Sequence, residues 1–172
     1  DMQELVYELN KVSAELAQEA ARQHMAEHPG SSKYVAGAMG PTNKTTSISP
    51  DINNPAFRAI SFNELKEAYI GQVNGLLDGG VDLLLVETIF DTLNAKAALF
   101  AIEEVKENRG IDIPVMVSGT ITDNSGRTLS GQTPEAFLIS LEHFPILSIG
   151  FNCALGAKQL EPYLEILSNN TD

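Results

Sequence analysis

The chain has 172 residues, of which 43% are hydrophobic, and a formal net charge of −12. That length suits one domain and that apolar fraction suits a packed core, so global disorder is excluded. An acidic chain has little with which to neutralise phosphates, which argues against nucleic acid and anionic membranes as partners. No apolar run approaches the ~20 residues of a membrane span. The single cysteine allows no internal disulfide, and we expect a reducing, cytoplasmic location.

The first half of the chain predicts a helix, a strand, a long loop and a second helix. Apolar residues at three- or four-residue spacing predict one face of the first helix: Leu5, Leu9, Val12, Leu16 and Ala20. The segment KYVAGAM predicts a buried strand, and the polar segment GPTNKTTSISPDINNP predicts a long loop of the kind that often carries function. Ser61 and Glu64 have the spacing of a capping box. The apolar stripe of this second helix is Leu65, Tyr69, Val73 and Leu76, and Gly79-Gly80 ends it.

The second half predicts three further strands, each followed by a helix. The strands are VDLLLVE, IPVMVSG and ILSIGFN. The helices are DTLNAKAALFAIEEVKENRG, TPEAFLISLEHF and AKQLEPYLEILSNN. Thr133 is the expected N-cap of the middle helix, with Pro134 at its first position, and the last helix is expected to begin late, near Pro162.

This alternation predicts an α/β fold with a parallel sheet, because the strands are continuous apolar runs covered on both faces. Two architectures fit the pattern. One is a small doubly wound sheet, and the other is part of a (β/α)8 barrel, which needs eight strands and about 250 residues. The pattern by itself favours the small sheet, since four strands cannot close a barrel.

Polar or glycine-bearing segments follow all four predicted strands. In parallel α/β folds function gathers at these carboxyl ends. Aligning them predicts one rim with these residues: Thr42, Asn43, Glu87, Thr88, Thr120, Asp123, Asn152 and Cys153. An ordinary turn on Asn124, Ser125 and Gly126 is the favoured interpretation of the loop around Asp123.

Glu87 and Cys153 are the most specific residues of this predicted rim. Glu87 ends a buried apolar run, where a carboxylate is costly unless it is paired or used. This position indicates that Glu87 is either a counter-ion for a substrate ammonium group or a cap for the following helix. Cys153 could be a nucleophile, a metal ligand, a redox thiol or simply a buried structural cysteine. The three histidines lie away from the rim, so Cys–His catalysis is disfavoured, and one cysteine is too few for a zinc site.

Four segments together resemble one family. They are VAGAMGPTNKTTSISPDINNPAFRAISF, LLLVETIFDTLNAKAA, MVSGTITDNSGRTLSGQT and GFNCALGA. In this order they resemble the homocysteine-binding domain of cobalamin-dependent methionine synthases, from about Lys33 to Ala157. The flanking helices fit too, so residues 1–172 are expected to form part of one such domain.

The resemblance implies a (β/α)8 TIM barrel, of which this chain supplies about four consecutive βα units, the third to sixth strands. It also implies that homocysteine binds as a zinc thiolate and takes a methyl group from methylcobalamin, derived from 5-methyltetrahydrofolate, to give methionine. Cys153 would be one of three cysteine zinc ligands. The other two belong to a Gly-Gly-Cys-Cys motif that does not occur in this sequence. Glu87 would hold the substrate amino group, with Thr120 and Asn152 as further substrate contacts. Folate and cobalamin modules would be the partners.

Two alternatives remain at this stage. The chain could be an inactive barrel fragment without independent ligand binding. It could also belong to a betaine- or S-methylmethionine-type homocysteine methyltransferase, which works without a cobalamin module.

Overall fold

Helices and strands alternate along the chain. The computed structural model describes residues 2–171. After a 3-10 turn at Gln3–Leu5, the elements are α1 Val6–Glu27, β1 Ala36–Met39, α2 Phe62–Asp78, β2 Leu83–Ile89, α3 Thr92–Arg109, β3 Val115–Gly119, α4 Pro134–Leu141, β4 Ser148–Phe151 and α5 Ala157–Asn169. The predicted helix followed by four strand–helix units is therefore confirmed. No helix within the described residues is both long and apolar enough to cross a bilayer.

The four strands form one parallel sheet in the order β1-β2-β3-β4. A doubly wound sheet has a switch point where the strand order reverses, and this sheet has none. Consecutive helices pack against each other from α1 to α5, as the outer helices of a barrel do. The small doubly wound sheet that the pattern favoured is therefore wrong. The α/β fold, with four parallel strands alternating with helices, fits part of a (β/α)8 barrel.

The two faces of the sheet differ in burial. Side chains that face the helices are at most 2% exposed: Met39, Leu84, Val86, Val115 and Val117. They form one core with the buried stripe of α2, which is the stripe expected from its spacing. The opposite face carries Ala36, Ala38, Leu85 and Met116, which are exposed or half-buried. This opposite face corresponds to a barrel interior.

Side-chain caps fix where three helices begin. The Ser61 hydroxyl accepts a hydrogen bond from the Glu64 N–H, and the Glu64 carboxylate accepts one from the Ser61 N–H, which completes the predicted capping box. Thr133 caps α4, with Pro134 at its first position, also as predicted. Asp91 caps α3. These caps place the loops that precede the helices.

The apolar face expected for α1 does not enter the core. Leu9 is 49% exposed and Leu16 is 67% exposed. Instead α1 turns Ala14 toward α2, where glycine lets the two backbones come close. A Cβ atom on Gly79 would stand 2.5 Å from both the Ala14 Cβ and the Lys11 carbonyl oxygen. The close approach at Gly79, which periodicity does not report, decides which face of α1 is buried.

Helix α5 begins earlier than expected. It runs from Ala157 and contains Pro162 in its interior, so the predicted start near Pro162 is wrong. Proline in a helix interior removes one backbone hydrogen bond and crowds the preceding turn. Leu160, on the N-terminal side of the proline, and Leu167, beyond it, are both buried, so both parts of the helix pack on neighbouring elements.

Candidate functional site

Strand β2 ends in an irregular step that carries Glu87. Val86 pairs with Val117 and Ile89 pairs with Gly119, so two residues of β2, Glu87 and Thr88, lie opposite one residue of β3. Thr88 has φ = 57°, in the left-handed region that β-branched residues rarely adopt. This is a β-bulge, a feature that commonly re-aims side chains beside active sites.

The Glu87 carboxylate is half-buried and makes no hydrogen bond or ion pair with any residue from 2 to 171. The helix-cap alternative for Glu87 is wrong, because Asp91 caps α3. Neither Glu87 carboxylate oxygen is fully enclosed, so both can accept hydrogen bonds from a ligand cation. The cavity beneath Glu87, shared with Met39 and Tyr69, is only about 10 Å³. A cavity of that size holds no more than about one water molecule, so it cannot receive a substrate.

Asn152 joins the ends of three strands. Its Oδ1 accepts hydrogen bonds from the Thr88 N–H at 3.1 Å and from the Ser118 hydroxyl at 2.6 Å. Its Nδ2 donates to the Thr88 hydroxyl at 2.9 Å. Three of the four hydrogen-bonding positions of the Asn152 amide are thus used by protein groups, and one N–H remains for another partner. The expected substrate contact at Asn152 stays a prediction.

Cys153 is the second residue after β4 and is exposed, so it is not the buried structural cysteine that was one interpretation. Cys153 and Ala154 have φ of 68° and 55°, two successive left-handed residues without glycine. Such conformations persist where surrounding structure enforces them, and they are concentrated at functional sites. His24 and His28 stack at the far end of α1, so neither serves Cys153 as a base.

Zinc chemistry suits the Cys153 thiol, a soft ligand, but a zinc site needs three or four ligands. Among residues 2–171 no three His, Cys, Asp or Glu side chains are grouped closely enough to hold a metal ion. The described residues therefore fit one ligand of such a site and do not complete it.

Thr120 follows β3, and its N–H donates to the Ile89 carbonyl oxygen at 2.8 Å. Its buried hydroxyl is the one side-chain polar atom of the described residues that is fully enclosed without a hydrogen-bond partner. Buried hydroxyls are normally paired, so the Thr120 hydroxyl is an exception among the described residues. The substrate contact expected of Thr120 remains a prediction.

The hydrogen bonds of Asp123 lie within its own turn. Its carboxylate accepts a hydrogen bond from the Ser125 N–H at 2.7 Å, and the Gly126 N–H donates to its carbonyl oxygen. Hydrogen bonds from the Ser125 side chain and backbone lower the pKa of Asp123. The favoured interpretation as an ordinary turn is confirmed.

The long loop after β1 is fastened to α3 by two buried residues that sequence reasoning missed. Asp91 is 1% exposed and accepts hydrogen bonds from the Ser47 N–H, the Ser47 hydroxyl and the Leu93 N–H. Asn94 accepts from the Thr46 N–H and hydroxyl and donates to Thr42 and Lys44. The N-cap position of Asp91 was visible in the sequence, but its partners 44 residues away were not.

We expect Asp91→Asn to destabilise the protein by about 2 kcal/mol, since hydrogen bonds to a charged acceptor are each worth about 1.5–3 kcal/mol. The new amide would also present N–H groups to N–H donors. Urea unfolding measures the effect. Asp51→Asn is the matched control, because Asp51 is exposed and accepts only within its own turn. Equal destabilisation by the two changes would contradict the anchoring role of Asp91.

Comparison with known proteins shows the family of this chain. The homocysteine S-methyltransferase family model matches residues 1–172. The chain belongs to the homocysteine S-methyltransferase family.

Three solved structures of one protein share its fold. They are the apo, metallated and oxidized forms of the homocysteine methyltransferase MmuM from Escherichia coli. The apo form has TM-score 0.77 at 22% identity, covering 98% of this chain and 57% of that chain. The metallated form has TM-score 0.74 at 23% identity, covering 96% and 55%. The oxidized form has TM-score 0.73 at 23% identity, covering 96% and 54%. The chain thus spans a little over half the length of these structures.

Proposed function

We propose that this chain forms the homocysteine-binding part of a methionine synthase, a methyltransferase that converts homocysteine to methionine. The observation that carries the proposal is the rim itself. The unpaired Glu87 carboxylate stands next to Thr88, and Asn152, which binds Thr88, directly precedes the exposed Cys153. The hydrogen-bonded pair of Thr88 and Asn152 thus lies between the Glu87 carboxylate and the Cys153 thiol at the open end of the sheet.

In this proposal Glu87 binds the ammonium group of homocysteine. A charged acceptor in a half-buried position suits an ammonium, and no lysine or arginine of the described residues already pairs with it. Thr120 is a further candidate contact to the substrate, and Asn152 acts through its hydrogen bonds to Thr88.

Cys153 is proposed as one ligand of a zinc ion whose other ligands lie outside the described residues. One of the related structures is a metallated form of MmuM, which supports a metal in this fold. Zinc, when bound, lowers the pKa of a coordinated thiol, whose ordinary value is about 8.5. The exposure of Cys153 fits a residue that meets both a metal and a substrate sulfur. A free exposed thiol also suits the cytoplasm, where we place the protein.

The proposed methyl donor is methylcobalamin, carried by a separate module and recharged from 5-methyltetrahydrofolate. The support is the loop at residues 40–60, which Asp91 and Asn94 fasten beside the rim and which leaves Ile52 96% exposed. A betaine- or S-methylmethionine-type methyltransferase is the second candidate, since the structural relative MmuM is a homocysteine methyltransferase. An inactive fragment is the third.

Methyl-donor specificity tests the proposal. The protein, expressed from its complete reading frame, is supplied with homocysteine and separately with methylcobalamin, S-methylmethionine or betaine, and methionine is measured. We expect methionine with methylcobalamin only. Methionine from S-methylmethionine or betaine would move the assignment to the second candidate. If no donor gives methionine and homocysteine does not bind, the result would support the third candidate, an inactive fragment.

A further inference from the structure

The bulge in β2 decides which way Glu87 and Ile89 face. In a regular strand, alternate residues share a face, so Leu85, Glu87 and Ile89 would all lie on the open side of the sheet. The extra residue breaks this alternation. Ile89 crosses to the helix side, where it is 4% exposed, while Glu87 and Thr88 both stay half-buried near the rim.

The bulge is held by contacts from a different strand. Thr88 adopts a left-handed conformation that is unfavourable for a β-branched residue. Its N–H donates to the Asn152 Oδ1 at 3.1 Å, and its hydroxyl accepts from the Asn152 Nδ2 at 2.9 Å. The Ser118 hydroxyl, at 2.6 Å, fills the second acceptor position of Asn152 and so fixes the orientation of the amide. No hydrogen bond to Glu87 itself is needed for this arrangement.

We propose that Asn152 and Thr88 are positioning residues: their hydrogen-bonded pair holds the β2 bulge and thereby aims the Glu87 carboxylate at the ammonium group of bound homocysteine. The inference rests on the proposed function, because it assigns Asn152 a role toward Glu87. It differs from a plain substrate contact. The Asn152 amide has one free N–H, whereas three of its hydrogen-bonding positions serve Thr88 and Ser118.

The test compares two thiols that differ only in the amino group. L-Homocysteine has it, and 4-mercaptobutyrate does not. Their affinities are measured by calorimetry for the protein expressed from its complete reading frame and for Asn152→Ala, Thr88→Gly and Thr88→Ser. Glycine adopts the left-handed conformation without strain but lacks the hydroxyl, while serine keeps the hydroxyl. Thr122→Val is the matched control, because the Thr122 hydroxyl bonds only within its own loop, to the Arg127 carbonyl.

We expect Asn152→Ala and Thr88→Gly to weaken homocysteine binding about tenfold or more and to leave 4-mercaptobutyrate binding within about twofold. Thr88→Ser, which keeps the hydroxyl, should retain the preference for homocysteine over 4-mercaptobutyrate, and Thr122→Val should not alter that preference. If Asn152→Ala does not fold, Thr88→Gly decides the question. Equal weakening of both thiols, or no weakening, would overturn the positioning role. A parent protein that binds both thiols equally would overturn the proposed role of Glu87, and the positioning role with it.

Discussion

Glu87→Gln is expected to weaken homocysteine binding by about 10- to 100-fold, the loss that follows when one charged hydrogen-bond partner is removed. The glutamine keeps the shape of the side chain but loses the negative charge that we propose binds the substrate ammonium. Binding of 4-mercaptobutyrate, which has no ammonium, should be unchanged or tighter, because the unpaired carboxylate is gone. Calorimetric titration of both thiols measures the difference.

Asp123→Asn is the control for this charge change. Asp123 is an exposed carboxylate in the loop after β3, and its hydrogen bonds are confined to its own turn. The Asp123→Asn protein should bind both thiols as tightly as the parent protein does. A loss of homocysteine affinity that is equal in Glu87→Gln and Asp123→Asn would mean that general acidity, rather than Glu87, attracts the ammonium group.

Cys153→Ser is expected to abolish zinc binding at the rim. The loss of an outer-shell partner alone lowers metal affinity about 10- to 100-fold, and the loss of a thiolate ligand should exceed that. Zinc per chain, measured by metal analysis after dialysis, should fall from about one to near zero in the protein expressed from its complete reading frame. Homocysteine affinity should fall with it.

Ala154→Ser is the matched control for Cys153→Ser. Ala154 shares the exposed, left-handed turn of Cys153 but has no thiol, so the control tests whether disturbing the turn suffices. It should retain zinc. Zinc that remains in Cys153→Ser would contradict the assignment of Cys153 as a ligand.

Local sequence signals predicted most of the fold. The apolar runs located all four strands, because a parallel strand covered on both faces needs continuous apolar residues. Ser61 with Glu64 and Thr133 with Pro134 marked two helix starts correctly. Periodicity could not tell a doubly wound sheet from part of a barrel, since strand order depends on contacts far apart in the chain.

Long-range packing explains the two wrong predictions about helices, the buried face of α1 and the start of α5. The apolar spacing of Leu9 and Leu16 is genuine, yet Ala14 and Gly79 decide which face of α1 meets α2. Pro162 suggested a boundary, but apolar contacts on both sides of it keep α5 continuous. In both cases a tertiary contact outweighs a local preference.

The candidate site was predictable in position and not in detail. The rule that parallel strands present function at their carboxyl ends placed Glu87, Asn152 and Cys153 on one rim. The left-handed Thr88 could not be foreseen, since the predicted strand ended at Glu87 and a threonine after it gives no sign of a bulge. Nor could the Asn152–Thr88 pair, which joins residues 64 positions apart.

We propose that homocysteine binds on this rim between Glu87 and Cys153. A crystal structure of the protein with L-homocysteine tests it most directly. We expect the ligand nitrogen within about 3 Å of a Glu87 carboxylate oxygen, with the ligand sulfur on the Cys153 side of the rim. Homocysteine bound elsewhere, or bound with its amino group turned away from Glu87, would contradict it.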